Sequence, residues 1–195
     1  MTRRLLVAIA VATLPVLATA HTGDTAHAHG FTDGLSHPFT GLDHLAAMLA
    51  VGLWSALTQR GPRMLAAPLG FAALLLVGAL VGATGIARVA LPGVESMVAA
   101  SVLVLGLIAA ARWQLGTGAS AALVGAFAVF HGLAHGSELS GAAALAGMVV
   151  ATAVLHAGGL ALGLKLRALS PRWSRLAGGA IALLGMGLLT RLVAA

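Results

Sequence analysis

The sequence predicts an all-α fold, a polytopic membrane bundle of six transmembrane helices behind a cleavable N-terminal signal sequence. Three observations carry that expectation. Hydrophobic residues make up 59% of the chain and charged residues only 8%, against about 25% charged in soluble domains, so a water-facing surface could not be covered. Six apolar stretches follow a polar N-terminal segment, and each approaches the roughly 20 residues that a helix needs to cross a bilayer. The basic residues fall mostly in the short gaps between those stretches, where they set membrane orientation.

Residues 1–20 read as a signal peptide: Arg3 and Arg4 give a basic start, a short apolar run interrupted by Pro15 follows, and Ala18-Thr19-Ala20 offers small residues for cleavage. Residues 21–36 are polar and rich in Gly and His, which predicts a flexible tail outside the membrane, with His21, His27 and His29 placed to meet metal there. Residues 37–195 form the membrane domain, its helices expected near 38–58, 66–87, 94–112, 118–136, 141–164 and 176–194. Strands are disfavoured because the runs are long and lack period-2 alternation, whereas helices satisfy their own backbone groups in lipid.

Orientation follows from the gaps. Arg60, Arg63, Arg112, Lys165, Arg167, Arg172 and Arg175 collect on one side, with Arg88 and Arg191 on the other. The positive-inside rule puts the larger set in the cytoplasm, so the mature N- and C-termini lie outside, in the periplasm of a bacterial inner membrane. Six helices allow an inverted repeat, but the histidine motifs of helices one and four both fall at the outer face and do not support one. Glycines Gly78, Gly82 and Gly85, then Gly158, Gly159 and Gly163, then Gly178, Gly179, Gly185 and Gly187 imply close helix packing. The sequence leaves a homo-oligomer open.

Composition excludes several functions. No cysteine is present, which removes disulfides, thiolate metal sites and thiol nucleophiles. The net charge of +6 comes without a continuous basic face or an aromatic platform, so nucleic acid is not a partner. No nucleotide-binding loop is visible.

The chemistry sits in two clusters. His37-Pro38-Phe39-Thr40-Gly41-Leu42-Asp43-His44 opens helix one. On a continuous helix, His37 and His44 share a face about 10 Å apart, and Asp43 either binds metal directly or accepts a ring N–H from a ligand histidine. Phe130-His131-Gly132-Leu133-Ala134-His135-Gly136-Ser137-Glu138 ends helix four. His131 and His135 are i and i+4, a common way to hold a metal from one helix, and Glu138 shares their face if the helix reaches it. Helix one enters from outside and helix four runs outward, so the two clusters meet at similar depth. Ionisable groups cost about 2.5–3.5 kcal/mol each at a membrane helix centre, and a dication gives four imidazoles and two carboxylates a common partner. Imidazole with carboxylate suits nickel, cobalt, zinc or copper(II). Met48, one turn below His44, reads as a packing residue that could alternatively offer sulfur.

The two motifs closely resemble those of the HupE/UreJ family of nickel permeases. The first matches at His37, Asp43 and His44, and the second at every fixed position from Phe130 to Glu138. The likeness extends to the signal, the six-helix layout and the Ala47-Met48 pair. It implies a secondary transporter that takes up nickel, or cobalt, for metalloenzymes such as hydrogenase or urease. It also implies metal-handling roles for His37, Asp43, His44, His131, His135 and Glu138, with no permanently bound cofactor and no enzymatic activity. The expected cycle is outer binding, a shift of helices one and four, and inward release driven by the membrane potential. Two other readings stay open: an intramembrane zinc hydrolase with Asp43 or Glu138 as general base, and a membrane metal-binding protein that never transports.

Outside the motifs, His156 in helix five is either a second stop on the way inward or a histidine bonded to a neighbouring backbone. Glu95 suits a helix N-terminus. Ser55, Thr58, Gln59 and Gln114 are expected to make ordinary polar contacts near the inner face.

Overall fold

A computed structural model describes residues 30–85, 93–139 and 141–194. The expected signal at 1–20, His21, His27 and His29 of the tail, and Arg88 lie outside the described residues. Those described form seven α-helices: α1 (Phe31–Thr40), α2 (Leu42–Thr58), α3 (Ala66–Gly82), α4 (Val94–Ala111), α5 (Thr117–Glu138), α6 (Ala142–Arg167) and α7 (Pro171–Ala194), with a 3-10 turn at Gly61–Leu65 leading into α3. No strand occurs among them. Five helical segments, Gly61–Gly82 and α4 to α7, are long and apolar enough to cross a membrane. The α1–α2 pair makes a sixth if the two are taken as one broken span.

That break corrects the expectation of one continuous helix over 38–58. The chain bends by 83° between α1 and α2. Gly41 ends one helix and starts the next with extended backbone (φ −84°, ψ 114°), and Pro38 cannot donate an α1 hydrogen bond. A second correction concerns residues 31–36, which are helical rather than a flexible tail. The Asp33 carboxylate accepts the Gly30 N–H at 2.8 Å, an acid placed where the helix N-terminus favours it. α1 is then seated on the start of α6 through backbone. A side chain at Gly34 would strike the Ala144 backbone, and one at Gly147 the backbone of Phe31. Contacts made by glycine rather than by apolar side chains leave no hydrophobic run to read. The last helix begins at Pro171, ahead of the expected 176, so Arg172 and Arg175 belong to its first turns.

Glycine seams join the spans in pairs. Along α3 and α5, which run parallel, Gly78 meets Val129 and Gly132, and Gly82 meets Leu133. Along α2 and α6, also parallel, Gly52 meets Leu160 and Gly159 meets Leu49 and Leu53. The antiparallel α4–α7 pair closes at Gly106 against Ala182 and at Gly178 against Ala110. Such small residues let helix backbones approach closely in lipid, where apolar burial does not drive helices together. The core between the pairs holds Met48, Leu53, Trp54, Phe71, Leu75, Leu105 and Met148, all buried.

The expected inner end is stitched by side chains. Trp54 Nε1–H donates to the Trp113 carbonyl at 2.9 Å, and the Ser55 hydroxyl to the Met64 carbonyl at 2.7 Å. Arg167 donates to the carbonyls of Ala56 and Gln59 at 2.6 and 2.8 Å, carbonyls that the end of α2 leaves without an intrahelical partner. Beside it, Thr58, Gln59, Arg60, Arg112 and Gln114 line a polar cavity of about 280 Å³.

Candidate metal centre

Five of the six expected ligands converge at one end of the bundle. α1 carries His37, α2 carries His44, and α5 carries His131, His135 and Glu138, because α5 stays helical through Glu138. The 83° bend brings His37 over His44, with ring centroids 6.1 Å apart. His135 packs against both, at 3.9 Å from His44 and 4.9 Å from His37. One ligating atom from each of His37, His44 and His135 lies within 4.8 Å of the others. Donors bonded to one ion at the roughly 2.0–2.1 Å typical of metal–imidazole bonds stand at most about 4.2 Å apart, so an ion shared by all three draws the rings slightly together.

His135 supplies the strongest chemical sign. It is wholly buried, and among the described residues neither of its ring nitrogens has a hydrogen-bond partner. Leaving a buried polar group unsatisfied costs about 1–3 kcal/mol. An ion held by the three imidazoles removes that cost at one nitrogen.

The neighbours fix the ring tautomers. The Ser101 hydroxyl of α4 donates to the Val98 carbonyl at 2.6 Å, so it accepts the Nε2–H of His131 at 2.8 Å. A neutral imidazole has one N–H, which leaves a lone pair on His131 Nδ1. His44 Nδ1 stands 3.1 Å from that atom and must donate to it. The lone pair of His44 is thereby placed on Nε2, free for an ion. By the same logic, His37 donates Nε2–H to Glu138 at 2.9 Å, leaving Nδ1 as its free donor of electrons. A carboxylate or hydroxyl behind a ligand histidine orients the ring and raises its basicity.

This geometry divides the expected ligand set. His37, His44 and His135 form the inner group, while His131 and Glu138 stand behind His44 and His37. Asp43 is set apart. Its Oδ1 accepts the backbone N–H of His44 at 2.8 Å and lies 3.6 Å from His44 Nδ1, too far for a hydrogen bond to the ring. It secures the first turn of α2. Met48 is fully buried in the core, in keeping with a packing role. Sequence reasoning missed Ser101 and Phe71, whose ring centroid lies 5.6 Å from His131. The signal for Ser101 was its isolation, a lone hydroxyl in the apolar run from Met97 to Ala111.

The motif glycines have their own task. A Cβ at Gly132 would lie 2.7 Å from the Ala79 nitrogen, and one at Gly136 would lie 2.7 Å from the Ala79 carbonyl carbon. Only glycine lets α5 sit this close to α3, and that contact fixes the position of His131 and His135.

A family model described as HupE / UreJ protein matches residues 9–188. The chain belongs to the HupE/UreJ family. It is 40% identical to "Protein HupE" of Rhizobium leguminosarum bv. viciae over 186 residues, covering 93% of this chain and 94% of that protein. No solved structure matches it. Members of the family are permeases and accessory transport proteins rather than enzymes, which sets the zinc hydrolase aside. Membership gives the chain a general role in metal uptake at a membrane.

Proposed function

We propose that this protein is a secondary permease that takes up nickel, with cobalt as the near alternative, across a bacterial inner membrane. His37, His44 and His135 hold the ion, His131 and Glu138 set the rings that hold it, and Asp43 secures the start of α2. The observation that carries the reading is the buried His135 ring, unpartnered among the described residues and facing two more imidazoles from two other helices. An all-imidazole group with a carboxylate behind it suits nickel and cobalt better than calcium or magnesium, which take oxygen ligands. The basic inner gaps orient the cluster toward the periplasm, the side from which an imported ion arrives. A dication moving inward gains about 4.6 kcal/mol per 100 mV, from about 2.3 per charge, enough to drive accumulation without nucleotide hydrolysis. Supply of hydrogenase or urease follows from the family resemblance.

The test is competitive uptake of nickel, cobalt, zinc and copper into cells expressing the full chain, with His44→Ala and His135→Ala beside it. Nickel or cobalt entry that both substitutions abolish, at unchanged membrane abundance, is the expected result. Binding without entry would mark a sensor or store, and unchanged entry in either variant would overturn the site.

A further inference from the structure

We propose that His156 and Thr152 form a second, deeper station for the transported ion, reached from the outer cluster across the ring of Phe71. The inference rests on the permease reading above and adds a site to its path.

Both residues lie on α6, four positions apart, and so share a helix face. At about 1.5 Å per residue, Thr152 is about 15 Å and His156 about 21 Å below the start of α6 at Ala142. His131 stands about 10 Å below the outer end of α5 by the same measure. His156 therefore sits near mid-membrane, deeper than the cluster.

Neither residue is explained by packing. His156 is 3% exposed and Thr152 is fully buried. Among the described residues, His156 Nε2 and the Thr152 hydroxyl have no hydrogen-bond partner. A structural histidine at this depth would be bonded to a neighbouring helix, and a structural threonine would bond back to the carbonyl of the preceding turn. Two groups one turn apart are thus desolvated without a compensating partner, and ionisable or polar groups in a membrane span mark substrate paths. A cation accepting an imidazole lone pair and a hydroxyl oxygen gives both a partner.

Phe71 connects the two places. Its ring meets His131 at 5.6 Å between centroids and His156 edge-on at 5.2 Å and 88°. It is itself fully buried. An ion leaving the outer imidazoles thus passes an aromatic partition before it meets Nε2 of His156. Each station offers imidazole nitrogen, so the ion exchanges one donor type for the same type.

The experiment uses the full chain, purified for equilibrium Ni²⁺ binding and reconstituted in liposomes for Ni²⁺ uptake under an inside-negative potential. Wild type is compared with His156→Ala, His156→Gln and Thr152→Val. The expected result is outer-site binding within twofold of wild type in all three. Initial uptake should fall tenfold or more in His156→Ala and several-fold in Thr152→Val. His156→Gln, which keeps a side-chain oxygen donor, should recover part of the loss. Wild-type uptake in His156→Ala would overturn the second station, as would loss of binding and uptake together in a folded variant. If His156→Ala does not fold, Thr152→Val and His156→Gln decide by the same criterion. A wild-type protein that binds no Ni²⁺ would instead sink the permease reading beneath it.

Discussion

Gly136→Ala offers a sharp test, because it adds one methyl group at a position that touches no ion. The new Cβ would lie 2.7 Å from both Cα and the carbonyl carbon of Ala79, and closer still to the carbonyl oxygen. Carbon atoms rest at about 3.5–4.0 Å, so α3 and α5 must part by roughly 1 Å. Overpacking of this kind costs about 1–3 kcal/mol. The methyl group lies one residue from His135, whose ring must meet a geometry shared with His37 and His44. Metal sites tolerate displacements of only about 0.2 Å in their ligand distances, so a roughly 1 Å shift of α5 removes His135 from the group or forces it to rebuild. The expected outcome is a protein that inserts and purifies normally, unfolds at lower temperature, and binds Ni²⁺ about 10–100-fold more weakly, the range seen when support behind a ligand is lost. Isothermal titration and thermal unfolding of the detergent-solubilised chain read the two effects separately. Wild-type affinity with an unshifted transition would refute the claim that the glycine contact positions the ligand.

Three further predictions follow from single contacts. Ser101→Ala removes the acceptor of His131 Nε2–H and frees the tautomer order behind His44, so Ni²⁺ affinity should fall about tenfold; an unchanged titration would remove Ser101 from the site. Glu138→Gln keeps the shape but not the charge beside His37, and should weaken Ni²⁺ binding by about tenfold while leaving thermal unfolding unaltered. Arg167→Met strips two charge-assisted bonds from the end of α2 and should destabilise the protein by about 1.5–3 kcal/mol, with Ni²⁺ affinity retained; a stability equal to wild type would show that water replaces the guanidinium.

Much of this arrangement was legible before any coordinates. The i, i+4 spacing of His131 and His135, and alternation of the spans, were enough to bring helices one and four together at one level. Two features were hidden, and both turn on glycine. At Gly41 the chain bends, so His37 reaches His44 from above rather than along one helix face; the break was written in Gly41 and Pro38, but periodicity across them still reads as a helix. At Gly34 and Gly147 the docking of α1 is made by backbone, which carries no hydrophobic signature. Asp43 shows a local demand that the motif did not announce. Its adjacency to His44 suggested a ligand, yet the first turn of α2 needed an acceptor, and a backbone N–H one residue away was nearer than the ring.

The parallel seam of α3 and α5 has a consequence for how selectivity can evolve. α3 offers no nitrogen or carboxylate to the cluster, yet its backbone is the surface on which the histidine-bearing helix rests. With no side chains interposed at Gly132 and Gly136, there are no rotamers to absorb a small change, and α5 answers to α3 as a rod answers to its rail. Substitutions on the mute partner would therefore retune both rings in concert, altering which ionic radius is gripped while every coordinating residue stays the same.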